Sequence, residues 1–289
     1  MKKVFLFASV VCMTTLIFCS SCEKKADFVF TVSGNKTTTE FTTPDSLTYT
    51  EVNYPQISNF DQAPKDKDGF VTIFDGKSFN GWRGYLKDAV PGRWIVEDGA
   101  IKFNGSGGGE AQNADGGDII FEKKLKNFRF EFEWKVAKGS NSGVFLLARE
   151  IKGEPIYTSS PEYQILDNEN HPDARATENG NRKSASLYDM IPAEPQNAKP
   201  FGQWNTGAIE CYKGSVFHFQ NGKKVCEYHL WTPQWIALIN AGKFKQGGDF
   251  KYAFTLLSNL GGDAHEGYIG FQDHGDDVWY RNIKVKILD

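Results

Sequence analysis

The sequence predicts an all-β domain, a sandwich or jelly roll, and three observations support this. From Gly69 onward, short apolar or alternating segments are separated by turns rich in Gly, Asn and Asp. Aromatic residues make up 14% of the chain, which favours strands. The segments show no strand–helix–strand alternation, which argues against a parallel sheet covered by helices.

The strongest strand signals come from two neighbouring segments. Phe128–Val136 alternates aromatic and charged residues, as expected of a strand with one buried face. Asn141–Arg149 is almost continuously apolar, which predicts burial on both faces. Asn221-Gly222 is a strong hairpin signal. Further strands are predicted at Glu162–Asp167, Gly207–Tyr212, Val216–Gln220, Lys223–His229, Gly267–Gln272 and Val278–Leu288, with weak helical character at Pro233–Asn240 and Asp173–Gly180.

The N-terminus resembles an export signal. Lys2 and Lys3 precede an apolar run, Val4–Phe18, which suits a signal peptide and falls short of the ~20 residues that cross a bilayer. Small residues before Cys22 resemble the lipobox of Bacteroidetes-type lipoproteins. We expect residues 1–21 to be a lipoprotein signal peptide and Cys22 to carry the lipid, which would anchor the protein to the cell envelope, facing the periplasm or on the outer-membrane surface. An ordinary secretory signal and a membrane anchor remain open.

Residues 22–68 are expected to form a tether and lead-in, and residues 69–289 the main domain. The lead-in is polar and β-branched around 37–46, with Phe28–Val32 and Leu47–Val52 as possible edge strands. The formal net charge is −3 and no basic run is present, so the sequence gives no indication of nucleic-acid binding.

Strand alternation sorts the polar residues by face. Glu162 and Gln164 share one face of their strand, and Gln272 shares a face with Gly270, where a glycine leaves room for a ligand. Arg149 is a lone charge at the end of an apolar strand, and it needs a partner, either Glu162 or a ligand.

Several segments resemble the 3-keto-disaccharide hydrolase domain family over residues 69–289, in the same order. They are Phe70–Trp82 with its DGKSFNGW turn, Asn141–Leu146, Glu162–Asn168, Ser186–Asp189, Gln203–Asn205, Gly270–Gly275 and Arg281–Ile283. The resemblance implies a concanavalin-like jelly roll. Two departures stand out: Leu147-Ala148 intervene before Arg149, and the turn before Tyr188 is altered.

The resemblance also implies a sugar whose C3 hydroxyl has been oxidised to a ketone. Such a substrate is an oligosaccharide or glycoside, and its cleavage needs a base, an electrophilic group for the enolate oxygen and a proton donor. The candidates are Glu162 or His274 as base, Arg149 or a divalent cation for the enolate, Gln164, Tyr188, Asn205 and Gln272 for hydroxyl groups, and Trp204 and Trp82 for ring stacking. No cofactor is certain. Glu162, Asp167 and His274 are a weak alternative metal set, because no tight metal-binding spacing is present.

Structural roles compete with each of these assignments. Glu162 and Arg149 are also compatible with a plain ion pair, His274 with a turn, and Trp204 with the core. The acidic loop after Gln272 is compatible with a Ca²⁺ loop or a solvated turn. No second carboxylate is evident on the Glu162 face, which disfavours the two-carboxylate mechanism of ordinary glycosidases. A non-catalytic carbohydrate-binding module of a lipoprotein, or an adhesion lipoprotein, remains an alternative function.

Overall fold

A computed structural model describes residues 28–43, 46–105 and 115–289. The predicted signal peptide and the predicted lipidation site, Cys22, lie outside the described residues. Strands dominate what is described, and only two short α-helices accompany them.

The elements are numbered in chain order. The strands are β1 (Val32–Ser33), β2 (Thr37–Thr42), β3 (Thr48–Asn53), β4 (Gln56–Ile57), β5 (Val71–Thr72), β6 (Trp82–Gly84), β7 (Trp94–Glu97), β8 (Ala100–Phe103), β9 (Ile119–Phe121), β10 (Phe128–Val136), β11 (Asn141–Ala148), β12 (Glu162–Leu166), β13 (Asn205–Tyr212), β14 (Ser215–Gln220), β15 (Lys223–His229), β16 (Tyr268–Phe271) and β17 (Val278–Ile287). The helices are α1 (Pro233–Ala241) and α2 (Ala253–Ser258), with 3-10 turns at Phe60–Gln62, Ile156–Thr158 and Pro172–Arg175.

Two antiparallel sheets form the sandwich. The larger sheet has the order β15-β14-β13-β10-β17-β8-β7, with β5 also paired to β17, and the smaller has the order β12-β11-β16-β9-β6. Neighbouring strands such as β10 and β17, or β11 and β16, are far apart in the chain, as in a jelly roll. The predicted all-β, concanavalin-like jelly roll is confirmed.

The core between the sheets is largely aromatic. On β10 every second residue is buried while the charged residues between them stay half-exposed, as its alternation predicts. Phe271 of the smaller sheet stacks on Tyr280 of the larger one, with ring centroids 4.0 Å apart, and on Trp82 at 5.3 Å. The indole of Trp82 donates a hydrogen bond to the Ile73 carbonyl at 2.7 Å. Trp82 is therefore a core residue, and its expected role as a sugar platform is wrong.

Most strands and helices lie where local sequence patterns predict them. Strand β11 is buried along its whole length, which confirms the prediction of two covered faces. Asn221 and Gly222 have φ of 47° and 77° and join β14 to β15, as expected of their hairpin signal. Helix α1 is confirmed, with Thr232 accepting the first-turn N–H of Trp235. The weaker helical prediction at 173–180 corresponds only to the 3-10 turn Pro172–Arg175.

The described part of the lead-in folds against the sandwich. The expected edge strand Leu47–Val52 corresponds to β3, whereas the expected strand Phe28–Val32 overlaps β1 only at Val32. β1 and β3 pair with β4 and β2 in two-stranded sheets and do not join the main sheets. Phe30, Ile57 and Phe60 are buried in the main core. Among the helices of the described ranges, none combines the length and the apolar character needed to cross a membrane.

Candidate functional site

A cluster of buried polar side chains, the Gly143 hollow, surrounds Gly143 of β11 on the face of the smaller sheet that is turned away from the core. Gly143 pairs with Gln164 of β12, so both face outward, while the alternate residue Tyr163 packs in the core. Glu162 shares the outward face with Gln164. The backbone N–H of Gln272, just past β16, donates to the Gly143 carbonyl at 2.9 Å. Glu162, Gln164 and Gln272 therefore lie around Gly143 on one face of the smaller sheet.

The centre of the hollow depends on a missing side chain. A Cβ built on Gly143 would collide with the carboxylate of Glu162. Glu162 is itself 8% exposed, so its carboxylate lies folded down over the glycine. A glycine is required at this position because the two groups occupy the same space.

Three buried amides around Gly143 have polar atoms without a partner. Asn141 Oδ1, Gln164 Nε2 and Gln272 Oε1 make no hydrogen bond within the described part of the chain. Buried polar atoms are paired in most native structures, so such a cluster indicates a site shaped for a polar ligand. Sugar hydroxyls, which both donate and accept, fit amides of this kind.

Tyr188 borders the same hollow. Its backbone N–H donates to the Glu162 carbonyl at 3.0 Å, and its hydroxyl donates to Asp173 Oδ2 at 3.0 Å. Burial, together with the negative charges of Glu162 and Asp173, raises the pKa of Tyr188 well above its ordinary value. The phenol therefore stays protonated and remains a hydrogen-bond donor at neutral pH.

A lysine that the sequence analysis missed reaches this edge of the site. The ammonium of Lys243, just past α1, lies 4.6 Å from the ring centroid of Tyr188 and 5.4 Å from that of Tyr157. Lys243 belongs to no motif, and only the packing of α1 against the body of the domain brings it here.

His274 lies beside Asn141, further along the same face of β11. Its Nε2 is 3.2 Å from Asn141 Nδ2, and its ring centroid is 6.0 Å from that of His171. Asn141 and Gly143 are two residues apart on one strand, a rise of about 7 Å. His274 therefore lies beside Asn141, two residues from Gly143 along β11. The contributions of Asn141 and His171 were missed, although the position of Asn141 on the Gly143 face could be deduced from strand alternation.

Asp167 serves a turn and is not beside His274. Its carboxylate accepts the Gly139 N–H and the Asn170 side-chain amide, both at 2.7 Å. Although burial acts in the opposite direction, these hydrogen bonds hold the pKa of Asp167 below its ordinary value. The alternative metal set of Glu162, Asp167 and His274 is therefore wrong, since Asp167 is committed to the loop.

Arg149 is paired outside the hollow. Its Nη2 and Nε lie 2.6 and 3.0 Å from Glu51 Oε2, in a buried ion pair with the lead-in. The ion pair with Glu162 that the sequence allowed is therefore wrong. The reason is local: Leu147 has a φ of 54°, and the β11–β16 register shifts between Phe145 and Ala148. This irregularity falls on the two residues that separate Arg149 from its expected motif position.

Trp204 and Asn205 belong to the larger sheet, on the other side of the sandwich. The Trp204 ring is covered by the Arg281 guanidinium, whose central carbon is 3.9 Å from the ring centroid. Asn205 Oδ1 accepts from the Lys199 N–H at 2.7 Å and from Asn221 Nδ2 at 2.8 Å. Their expected roles in holding sugar are therefore corrected: both residues are structural, and motif order along the chain did not reveal which sheet would carry them.

Comparisons with known proteins agree with the motifs. Residues 69–286 match the model of the 3-keto-alpha-glucoside-1,2-lyase-like domain. The chain is 55% identical over 299 residues to a 3-keto-disaccharide hydrolase of Bacteroides thetaiotaomicron, with 100% of both chains covered. A crystal structure titled "putative glycosyl hydrolase" from Parabacteroides distasonis is 30% identical, with a TM-score of 0.63, and the match covers 77% of this chain and 95% of that one.

Proposed function

The chain belongs to the 3-keto-alpha-glucoside-1,2-lyase-like family, which confirms the resemblance of its motifs, and we propose that it cleaves the glycosidic bond of 3-keto-glycosides. The family and the name of the Bacteroides thetaiotaomicron relative indicate a carbohydrate-cleaving enzyme. The observation that carries the proposal is the Glu162 carboxylate, folded over Gly143 and accompanied by buried amides that each have one polar atom without a partner among the described residues.

The chemistry follows from the ketone. A C3 carbonyl acidifies the C2–H bond, and Glu162 takes that proton to give an enolate. The electron pair then forms the C1–C2 double bond as the C1–O bond breaks. The departing oxygen gains a proton and leaves as an alcohol. Addition of one water across the new double bond returns a 3-keto sugar, so the sum of the steps is hydrolysis.

The described residues supply most of the groups that these reaction steps need. Glu162 is assigned the base because its carboxylate lies against Gly143, whereas His274 lies beside Asn141, two residues along β11. Gln164 and Gln272 hold hydroxyl groups through Gln164 Nε2 and Gln272 Oε1, which have no partner among the described residues. Tyr188 stays protonated beside Glu162, with its O–H donated to Asp173 Oδ2. Arg149 is not assigned the enolate, because its guanidinium is committed to Glu51.

The test compares Glu162→Gln with a matched control, Glu210→Gln. Glu210 lies on the larger sheet, where it pairs with Arg129 at 3.0 Å. We expect purified wild-type protein and the control to cleave a 3-keto-glucoside and Glu162→Gln to lose about 10²–10⁴-fold in rate, as for removal of a general base. Equal cleavage by all three proteins would reject Glu162 as base, and no cleavage by the wild type would reject the function.

The same protein preparation can be used to distinguish an enzyme from a non-catalytic binding module. Calorimetric titration with unoxidised glycans should show weak binding at most, since Trp82 is buried in the core and the Arg281 guanidinium lies over the Trp204 ring. Tight binding of an unoxidised glycan without turnover of its 3-keto form would favour the module.

We also propose that the protein is exported and held at the cell envelope by a lipid on Cys22. Support comes from the charged and apolar residues that precede it and from the small residues at positions 20 and 21. Cys22→Ala should move the protein from the membrane fraction to the soluble fraction. An unchanged distribution would reject lipidation at this residue.

A further inference from the structure

Two imidazoles and a carboxylate meet at one end of the Gly143 hollow. One nitrogen from each of His171 and His274 and one oxygen of Asp276 all lie within 4.8 Å of one another. The three residues come from different parts of the chain: His171 follows β12, whereas His274 and Asp276 follow β16. We propose that His171, His274 and Asp276 bind a divalent transition-metal ion next to Glu162.

The spacing is close to that of a ligand set. His274 Nδ1 is 3.9 Å from Asp276 Oδ2. Nitrogen and oxygen ligands about 2.0–2.2 Å from one ion stand about 3.0–3.5 Å apart in tetrahedral or octahedral arrangements. Side-chain rotations that move each ligand atom by less than about 1 Å would close the set, and all three residues are only half-buried. Asp276 Oδ2 accepts the Asn141 backbone N–H at 3.0 Å, and its Oδ1 remains for the ion.

Asn141 supplies an independent indication of a ligand. It is 2% exposed, and its side-chain amide points at His274, with Nδ2 3.2 Å from Nε2, while Oδ1 has no partner within the described residues. A histidine that binds a metal through Nδ1 carries its proton on Nε2 and donates it to a neighbouring oxygen. Rotation of the Asn141 amide by half a turn would bring the unpartnered Oδ1 to that proton, and the two orientations of an amide differ little in shape.

His171 needs one local change to bind the ion through its other nitrogen. Its Nδ1 accepts the Asp173 N–H at 3.2 Å, a long hydrogen bond that caps the 3-10 turn. Binding through Nε2 moves the proton to Nδ1 and opens this contact. The cost is one weak hydrogen bond, set against a new metal–nitrogen bond.

The donors select the class of ion. Two imidazoles with one carboxylate favour the Mn²⁺ to Zn²⁺ series over Ca²⁺ or Mg²⁺, which prefer oxygen ligands throughout. The neighbouring acids do not extend the set to a Ca²⁺ loop. Asp273 accepts the Gly117 N–H at 2.7 Å, and Asp277 accepts the Gly105 N–H at 2.6 Å, so both carboxylates serve the loops around them.

The position gives the ion a use within the proposed reaction. Asn141, which contacts His274, and Gly143 lie about 7 Å apart on one face of β11, so the ion would lie on the same side of the smaller sheet as Glu162. A Lewis acid on that side can hold the C3 oxygen while Glu162 faces C2. This part of the inference rests on the proposed function, whereas metal binding itself does not.

Binding is tested without turnover. Protein stripped with a chelator is titrated with Zn²⁺, Mn²⁺ and Co²⁺ by calorimetry, and Co²⁺ is also followed by its visible absorption. We expect one ion per chain in the wild type and at least ~100-fold weaker binding in His274→Ala and Asp276→Asn. The matched control is His229→Ala, a surface histidine 3.4 Å from Glu227 on β15, which should bind as the wild type does.

The outcomes separate the two proposals. Absence of stoichiometric binding in the wild type, or equal affinity in His274→Ala, would overturn the metal site. Stoichiometric binding that is lost in both variants would support the site even if no 3-keto-glycoside is cleaved, in which case only the proposed function fails. Full activity after complete removal of metal would overturn the catalytic use of the ion.

Discussion

The carboxylate of Glu162 occupies the space that a side chain at position 143 would need. This relationship joins two motifs on neighbouring strands, Asn141-Ser142-Gly143 on β11 and Glu162-Tyr163-Gln164 on β12. The glycine therefore fixes where the acid can lie, and with it the centre of the hollow.

Gly143→Ala should displace Glu162 and lower activity while the fold persists. The added methyl group meets the carboxylate at a position with ordinary strand geometry, so backbone strain is not the cause. We expect kcat/KM for a 3-keto-glucoside to fall at least ~100-fold, because misplacement of a catalytic group by about 1 Å has that effect. Gly92→Ala is the matched control, since no atom of the described residues lies within 4 Å of its added Cβ. Loss of activity in both variants, or in neither, would contradict the account.

Arg149 should matter for stability and not for chemistry. Arg149→Met leaves Glu51, which is 6% exposed, without its main partner, and we expect a loss of about 3 kcal/mol in the free energy of unfolding. The double variant Arg149→Met, Glu51→Gln should recover part of that loss. Urea unfolding measures the free energy of unfolding of the single and the double variant. Lys124, whose ammonium is 3.3 Å from Glu51, reduces the loss of stability because it still pairs with the carboxylate.

The turnover of folded Arg149→Met should equal that of the wild type. A large fall in kcat with no change in the unfolding midpoint would instead place Arg149 in the reaction.

Strand alternation in the sequence was enough to predict the face shared by Glu162 and Gln164, and the glycine-containing face that carries Gln272. Those predictions need only the period of a strand, which is local. The position of Arg149 could not be predicted in the same way, because one residue in the left-handed conformation, Leu147, shifts the pairing register of β11 with β16. A bulge of this kind leaves no compositional signal when the residue is a leucine.

Trp204→Ala should leave substrate binding unchanged. Its ring lies on the larger sheet beneath Arg281, so KM and kcat for a 3-keto-glucoside should stay within about twofold of the wild type. The positive counterpart is Gln164→Leu, which keeps the volume but removes the amide. Its kcat/KM should fall about tenfold, because a hydrogen bond to a hydroxyl contributes about 0.5–1.5 kcal/mol. A large fall in kcat/KM for Trp204→Ala with no change for Gln164→Leu would instead place the sugar site on the larger sheet.

His218 should make the protein acid-sensitive. It is fully buried on β14, with Nδ1 2.9 Å from the Ala185 carbonyl and Nε2 3.1 Å from the Tyr228 hydroxyl, and burial lowers its pKa to about 4. The unfolded chain gains this proton near pH 6.5. The stabilisation that comes from keeping His218 neutral is therefore complete above pH 6.5. It is lost as the pH falls towards 4, and the free energy of unfolding then decreases by about 3 kcal/mol in total.

Urea unfolding between pH 7.5 and 4 measures that slope. His218→Gln should be less stable at pH 7 but should lose less stability on acidification, whereas His229→Gln, at an exposed position, should follow the wild type. Parallel curves for wild type and His218→Gln would contradict the neutral, buried state of this histidine.

The pair His171 and His274 shows a second limit of the sequence. Each lies in a loop, more than a hundred residues apart, and neither has a metal-binding spacing on its own. Only the pairing of β11 with both β12 and β16 brings the two loops to one end of the smaller sheet. Family motifs indicated the loop of His274, but nothing in the sequence indicated its partner.

The most direct test of Glu162 as the base is hydrogen exchange at C2. A 3-keto-glucoside or its 3-keto sugar product is incubated in D₂O with the wild type, Glu162→Gln or Glu210→Gln, and deuterium at C2 is followed by NMR. We predict enzyme-dependent exchange at C2 with the wild type and Glu210→Gln, and only the background rate with Glu162→Gln. Exchange that persists undiminished in Glu162→Gln, or that never exceeds background in the wild type, would contradict the account.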